Sequence, residues 1–154
     1  MKKAFLLLFL TVIVILGGCG SNNQTEEADE VNGDGSDANN EVHAELKEQS
    51  PLMYQYSVTN ESNEKVELEF SSSQRYDYEI TNKDGEQVFL FSSVTSFAQV
   101  MGEETLAPGD MLNYQIDLSE RDLEPGNYLL TAWLTPRSGD KYKAEQTFTV
   151  PGEE

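Results

Sequence analysis

The sequence contains a single cysteine, Cys19, and a single histidine, His43, in 154 residues. One cysteine cannot form an intrachain disulfide, and structural zinc sites need Cys and His ligands that this chain does not have. A serine nucleophile needs a base that a third group orients, whereas His43 borders a polar tract that cannot hold it in place. The sequence therefore predicts no catalytic site, no metal and no cofactor. An enzyme that uses carboxylates alone is a remaining hypothesis, but spacing singles out no Asp or Glu pair.

A hydrophobic run long enough to span a membrane is also missing. The longest run, residues 4–16, has thirteen residues, whereas a spanning helix needs about 20. Two lysines precede the run, and Leu-Gly-Gly-Cys ends it at 16–19, a pattern that resembles a bacterial lipobox. This arrangement is typical of a signal peptide, which we predict for residues 1–18. A buried core helix is the alternative, but such a helix is seldom apolar on every side.

Cys19 is accordingly the predicted lipidation site, with palmitate expected among its acyl chains. One acyl chain gives only marginal membrane binding, whereas two anchor a protein stably. We therefore expect a lipoprotein held on the outer, extracytoplasmic face of the cell membrane by its N-terminal lipid alone.

Basic residues are few, with 10 Lys and Arg against 28 Asp and Glu and a net charge of −18. Cleavage before Cys19 removes two lysines and leaves a net charge of −20. Such a surface repels phosphate backbones and anionic lipid headgroups, which excludes nucleic-acid binding and keeps the domain off the bilayer. The acidic charge has two remaining interpretations: a surface that binds a basic partner or cations, or simply a solvated surface that resists aggregation.

Residues 19–41, which follow the signal, are acidic and have almost no aliphatic side chains. They cannot bury enough apolar surface to offset the entropy of ordering, so a disordered tether is predicted. From residue 42 to 154 apolar and polar residues alternate with a period of two, which is typical of half-buried strands. Gly85 closes a hairpin turn signal at 82–85. The alternating apolar residues include Tyr54, Tyr56, Val58, Val66, Leu68, Phe70, Tyr76, Tyr78, Ile80, Leu112, Tyr114, Ile116, Tyr128, Leu130 and Ala132.

About seven short strands in some 110 residues predict an all-β domain, an antiparallel β-sandwich of immunoglobulin type. A jelly roll or a small barrel is the competing architecture. The run at 123–128 resembles a tyrosine corner, in which Tyr128 would bond back to nearby backbone. Leu130 stands where antibody domains have their second cysteine, so packing alone must hold the sandwich together.

Five short motifs follow one another along the domain: Ser-Gln-Arg-Tyr-Asp-Tyr-Glu-Ile at 73–80, Lys-Asp-Gly at 83–85, Phe-Ala-Gln at 97–99, Leu-Ala-Pro-Gly-Asp at 106–110 and Pro-Gly-Asn-Tyr at 125–128. In their order and spacing they resemble the BsuPI family of intracellular proteinase inhibitors. The resemblance implies an immunoglobulin-like sandwich that inhibits a serine protease, such as a subtilisin-like enzyme, by protein–protein binding. It supplies no reactive-site residues. A non-inhibitory binding or adaptor module of the cell envelope is the alternative function, and the oligomeric state is undetermined.

Two parts of the domain are candidates for the binding surface. The first is a predicted long loop at 92–108, which presents the apolar residues Val94, Phe97, Val100 and Met101. The second is a face that carries Phe89 and Phe91, together with Trp133, which is out of phase with the core residues of its strand. In the alternative interpretation, Phe97 plugs the end of the sandwich and neighbouring loops cover the aromatic face.

Overall fold

The computed structural model describes residues 42–152. The predicted signal peptide (1–18), Cys19 and the tether (19–41) lie outside the described residues. No helix between residues 42 and 152 has the length and apolar character needed to cross a membrane.

The described residues form nine strands and one helical turn. They are β1 (Val42–Ser50), β2 (Met53–Asn60), β3 (Val66–Phe70), β4 (Tyr76–Asn82), β5 (Gln87–Leu90), α1 (Phe91–Val94), β6 (Gly102–Leu106), β7 (Met111–Asp117), β8 (Gly126–Leu134) and β9 (Lys141–Val150).

The strands form three antiparallel sheets, in the orders β1-β2-β7, β3-β6 and β5-β4-β8-β9. The all-β prediction is therefore confirmed, and the arrangement fits a sandwich. No sheet in the described part closes into a barrel. The immunoglobulin-like type stays a prediction. The count of about seven strands was too low by two, because β1 and β6 had not been recognised as strands.

The core lies where the alternating apolar faces of the sheets meet. In β2 every second residue is buried, so that Tyr54, Tyr56 and Val58 face inward. Ile80 of β4 and Leu130 of β8 are paired across the second large sheet, and both are fully buried. Burying each such side chain contributes roughly 1.5–3 kcal/mol, which allows the domain to fold without a disulfide.

Two local predictions from the sequence are confirmed. The Tyr128 hydroxyl donates a hydrogen bond to the Glu124 carbonyl over 2.8 Å, which closes the corner before β8. Gly85 has a φ of +80°, and the turn between β4 and β5 is held by a 3.0 Å bond from its amide to the Asn82 carbonyl. The first bond closes the turn into β8, and the second closes the hairpin between β4 and β5.

The predicted long loop at 92–108 is shorter than expected. Residues 102–106 form β6, which pairs with β3 so that Phe70 lies opposite Gly102. Adjacent Glu103 and Glu104 interrupt the apolar alternation, so the pattern does not indicate a strand at this position. The predicted return strand at 88–91 also ends one residue early, because Phe91 begins α1.

Candidate protein-binding segment

Residues 87–102 contain no charged side chain, although a quarter of the whole sequence is charged. This is the longest uncharged run in the part of the chain that the structure describes. It comprises β5, α1 and an irregular stretch that leads into β6. None of its sixteen residues is buried. We call it the 87–102 segment.

The next longest uncharged runs have a different explanation. Residues 49–60 and 125–136 contain the core strands β2 and β8, whose side chains lack charge because they are buried. Burial does not account for the 87–102 segment. Depletion of charge on an accessible surface is instead the compositional mark of the centre of a protein–protein interface.

Exposed large hydrophobic side chains concentrate in the same segment. Val94, Val100 and Met101 expose 64%, 60% and 68% of their surface, and Val88 is also exposed. Met111 is the one further exposed large hydrophobic residue among residues 42–152. Exposed apolar residues mark interaction sites when they adjoin, as Val100 and Met101 do in the chain, whereas isolated ones need no explanation.

Strand β5 lies at the edge of its sheet and pairs with β4 alone. Soluble proteins commonly protect such edges with charged residues, and β5 has none. The Leu90 carbonyl accepts a 2.6 Å hydrogen bond from the Ser93 hydroxyl, but the rest of the outer edge of β5 has no partner strand among the described residues. Pairing of an extended chain with such an edge is a common mode of peptide recognition.

Stacked aromatic rings support the segment from below. The Phe91 ring lies 5.6 Å from that of Tyr76 and 5.0 Å from that of Tyr78, and Phe89 lies 5.6 Å from Tyr78. Burial raises the pKa of both tyrosines, so their hydroxyls stay protonated at neutral pH and the support is uncharged. Phe89 and Phe91 are both half-buried, which makes them the base of the segment and leaves only part of each ring accessible.

Two contacts hold α1 and the stretch after it. The carboxylate of the buried Asp77 accepts a 3.0 Å hydrogen bond from the Ser92 amide, which fixes the start of the helical turn. The Phe97 ring then packs edge-on against Phe91, with 5.8 Å between centroids. Phe97 is half-buried and points back to its own domain, whereas Met101 projects into solvent.

Trp133 does not belong to this surface. It is out of phase with the core residues Leu130, Ala132 and Leu134, as predicted, but only 9% of it is exposed. The Lys143 ammonium lies 5.5 Å from the centre of its ring. The expectation of an accessible aromatic at Trp133 was wrong, because alternation indicates which face a residue occupies and not what covers that face.

The structure thus joins Phe89, Phe91 and Phe97 through ring contacts, leaves Met101 exposed in the same segment and buries Trp133. The sequence pattern places Val94 and Val100 on the predicted loop, but it does not indicate that Val88 of β5 is exposed. The sequence signal for the whole segment is the absence of charge over sixteen residues. This uncharged run joins the strand with Phe89 and Phe91 to the predicted loop at 92–108, which the alternation pattern treats as separate.

Other chemistry-bearing groups of the described residues form no site. His43 is exposed on β1, opposite Thr59. No group of three or more His, Cys, Asp or Glu residues between 42 and 152 is placed to hold a metal ion. An open cleft of about 590 Å³ lies beside the β4–β5 turn. Within it, the Thr149 hydroxyl donates a 2.8 Å hydrogen bond to the side-chain oxygen of Asn127. None of the predicted binding residues lines this cleft.

The family described as "BsuPI: Intracellular proteinase inhibitor" matches residues 40–139, a stretch that includes the whole 87–102 segment. No curated protein matches the chain.

Among solved structures, a β-glucuronidase 2 of Bacteroides uniformis is 15% identical, with a TM-score of 0.34, and the match covers 71% of this chain and 13% of that one. A second B. uniformis β-glucuronidase structure is 14% identical, with a TM-score of 0.32, and the match covers 71% of this chain and 13% of that one. The sporulation control protein Spo0M of Bacillus subtilis is 15% identical, with a TM-score of 0.31, and the match covers 71% of this chain and 47% of that one. This chain therefore spans less than half of each protein, and likeness at these TM-scores is too weak to define a shared fold.

Proposed function

Because the chain belongs to the BsuPI family of intracellular proteinase inhibitors, we propose that it is a lipid-anchored inhibitor of a serine protease of the subtilisin-like class. It acts outside the cell membrane by binding the protease and performs no chemistry of its own. The 87–102 segment makes the contact.

The observation that carries the proposal is the combination of exposure and missing charge in that segment. A protease cleft binds an extended chain through main-chain hydrogen bonds and places alternate side chains in pockets. The 87–102 segment offers an uncovered strand edge at β5 and three exposed apolar side chains after it. Such a surface suits a cleft with apolar pockets.

Rigidity of the segment also favours inhibition. A flexible segment would lose conformational freedom on binding, at about 1–2 kcal/mol for each residue fixed. Two contacts hold much of this segment in place before any partner binds. They are the packing of Phe97 against Phe91 and the hydrogen bond from the Ser92 amide to the Asp77 carboxylate. Preorganisation of this kind raises affinity by lowering the entropic cost of association.

The envelope location rests on the sequence. The thirteen-residue run and Leu-Gly-Gly-Cys at 16–19 support export and acylation of Cys19, whereas the family is named for intracellular inhibitors. An exported member would meet secreted or envelope proteases. Its acidic domain, on a polar tether, would stand away from anionic headgroups.

The direct test is a titration of residues 19–154, carrying Cys19→Ser, against a panel of subtilisin-like proteases, with activity followed on a small peptide substrate. We expect dose-dependent, saturable inhibition that leaves residues 42–152 uncut. If no protease is slowed at micromolar concentrations while the domain stays folded and intact, the inhibitor function is wrong. Capture of an envelope protein without protease activity would then favour the adaptor function.

We expect the substitution Cys19→Ser in the full-length chain to release the protein from the membrane fraction into the medium. Loss of both acyl chains removes the lipid anchor, and the acidic domain has no attraction to anionic lipid. The thirteen-residue run at 4–16 is too short to span the bilayer even if it is not cleaved from this variant. Fractionation followed by immunoblotting measures the change, with Ser21→Ala as the matched control. Retention of the Cys19→Ser protein on membranes would show that something other than acylation holds it.

A further inference from the structure

Met101 is the most exposed large hydrophobic residue of the 87–102 segment, and it lies within the consecutive exposed residues 99–101, which we call the tip. Val100 and Met101 project from it, while the residues on either side are tied to the domain. The tip is therefore a short projection between two anchors.

The anchor before the tip is at Ala98. Its carbonyl accepts a 2.8 Å hydrogen bond from the Ser73 amide, and its own amide donates to the Ser73 hydroxyl over 3.0 Å. Both backbone groups of Ala98 are thus held by one residue of the loop before β4. Phe97, packed on Phe91, holds the neighbouring side chain.

The anchor after the tip is at Gly102, where β6 begins opposite Phe70. The Arg75 guanidinium lies directly against the Gly102 backbone, since a β-carbon there would collide with Nη2. Arg75 is itself held by Glu104, 2.9 Å away, and by the Ser72 carbonyl, 2.8 Å away. Both anchors therefore belong to the same short loop, residues 72–75.

The backbone of the tip distinguishes its two apolar residues. The Val100 amide donates to the Ala98 carbonyl over 2.9 Å, which forms a γ-turn and removes that donor from intermolecular use. Neither the amide nor the carbonyl of Met101 has a backbone partner within residues 42–152. Met101 is also the more exposed of the two, and its unbranched side chain enters narrow apolar pockets easily.

On the premise that the protein inhibits a protease as proposed above, we infer that Met101 is the specificity-determining residue. Its side chain enters the primary specificity pocket of a protease whose pocket is apolar, and its backbone groups bond to the edges of the cleft. Arg75 and Ser73 are positioning residues that hold the tip in the binding conformation. The partner class is therefore a serine protease that prefers an apolar residue at its primary site, and not one whose pocket carries an acidic group.

The test is a specificity switch made by Met101→Lys, with Met111→Lys as the matched control on an exposed methionine outside the segment. Lysine cannot enter an apolar pocket without burying an unpaired charge, but it fits an acidic pocket. We expect Met101→Lys to weaken inhibition of subtilisin by about 100-fold or more and to create inhibition of trypsin. Met111→Lys should change neither. Far-UV circular dichroism confirms that both variants remain folded.

The outcomes separate this inference from the proposed function. If the unsubstituted protein inhibits subtilisin and Met101→Lys inhibits it equally well, Met101 is not in the pocket and the inference is overturned, while the inhibitor function stands. Loss of subtilisin inhibition without a gain against trypsin would place Met101 at the interface but outside the pocket, and would also overturn the inference. If the unsubstituted protein inhibits neither enzyme nor any other in the panel, the proposed function itself fails.

Discussion

Replacing Phe70 by alanine is expected to lower the free energy of unfolding by about 3–5 kcal/mol, because the ring is fully buried and a cavity would remain. Phe70 ends β3 and lies opposite Gly102, where the 87–102 segment joins β6. The Arg75 guanidinium stacks on its ring, with 4.6 Å between the guanidinium carbon and the ring centroid. Urea unfolding measures the loss as a lower midpoint.

The matched control is Phe97→Ala, the same substitution on a half-buried ring in the 87–102 segment. Phe97 has one aromatic partner, Phe91, and such a pair contributes about 0.5–1.5 kcal/mol beyond area burial. Phe97→Ala should therefore lower the free energy of unfolding much less than Phe70→Ala does. It should nevertheless weaken protease inhibition, by more than its small loss of stability accounts for. Similar losses of stability in the two variants would contradict the assignment of Phe70 to the core and Phe97 to the segment.

Substituting Arg75 with alanine is expected to weaken protease inhibition at least about fivefold, since each backbone residue that is freed before binding costs about 1–2 kcal/mol. The variant removes the group that rests against Gly102 and leaves Glu104, which is only partly exposed, without its ion-pair partner. Inhibition constants, measured where the variant is fully folded, test this expectation. A loosened tip should also be cut faster by the protease, an effect that lower stability alone does not produce.

Arg137→Ala serves as the matched control for Arg75→Ala. Arg137 pairs with Glu69 over 3.3 Å, but both side chains are mostly exposed, and such pairs contribute about 0–1 kcal/mol. Its removal should leave inhibition and cleavage unchanged. Equal effects from the two arginines would mean that net charge, and not support of the tip, governs binding.

The sequence predicted the fold where one face of a strand is buried and the other is wet. Strand β2 is such a case, because Tyr54, Tyr56 and Val58 alternate with polar residues and all three are buried. Strand β6 is not, since Glu104 occupies an inward position where an ion pair with Arg75 satisfies it. Periodicity cannot reveal a strand whose inward position is filled by a paired charge from a distant residue.

The exposure of the candidate binding residues was only partly predictable for a related reason. The sequence pattern indicates Phe89, Phe91, Phe97 and Met101, of which Met101 is exposed and the three rings are half-buried. The accessibility of Trp133 was predicted wrongly, because the covering of an outer face depends on residues such as Lys143 on the neighbouring strand. Local composition, by contrast, gives the extent of the segment, since missing charge does not depend on distant contacts.

Amide hydrogen exchange tests most directly whether the 87–102 segment is the contact surface. Exchange is measured for the free protein and for its complex with a subtilisin-like protease, at a protease concentration that saturates the protein. We predict that the complex slows exchange of amides within residues 87–102, most strongly around Met101, and leaves β9 and the cleft near Asn127 unchanged. Slowed exchange confined to any other surface, with residues 87–102 exchanging as in the free protein, would contradict the account.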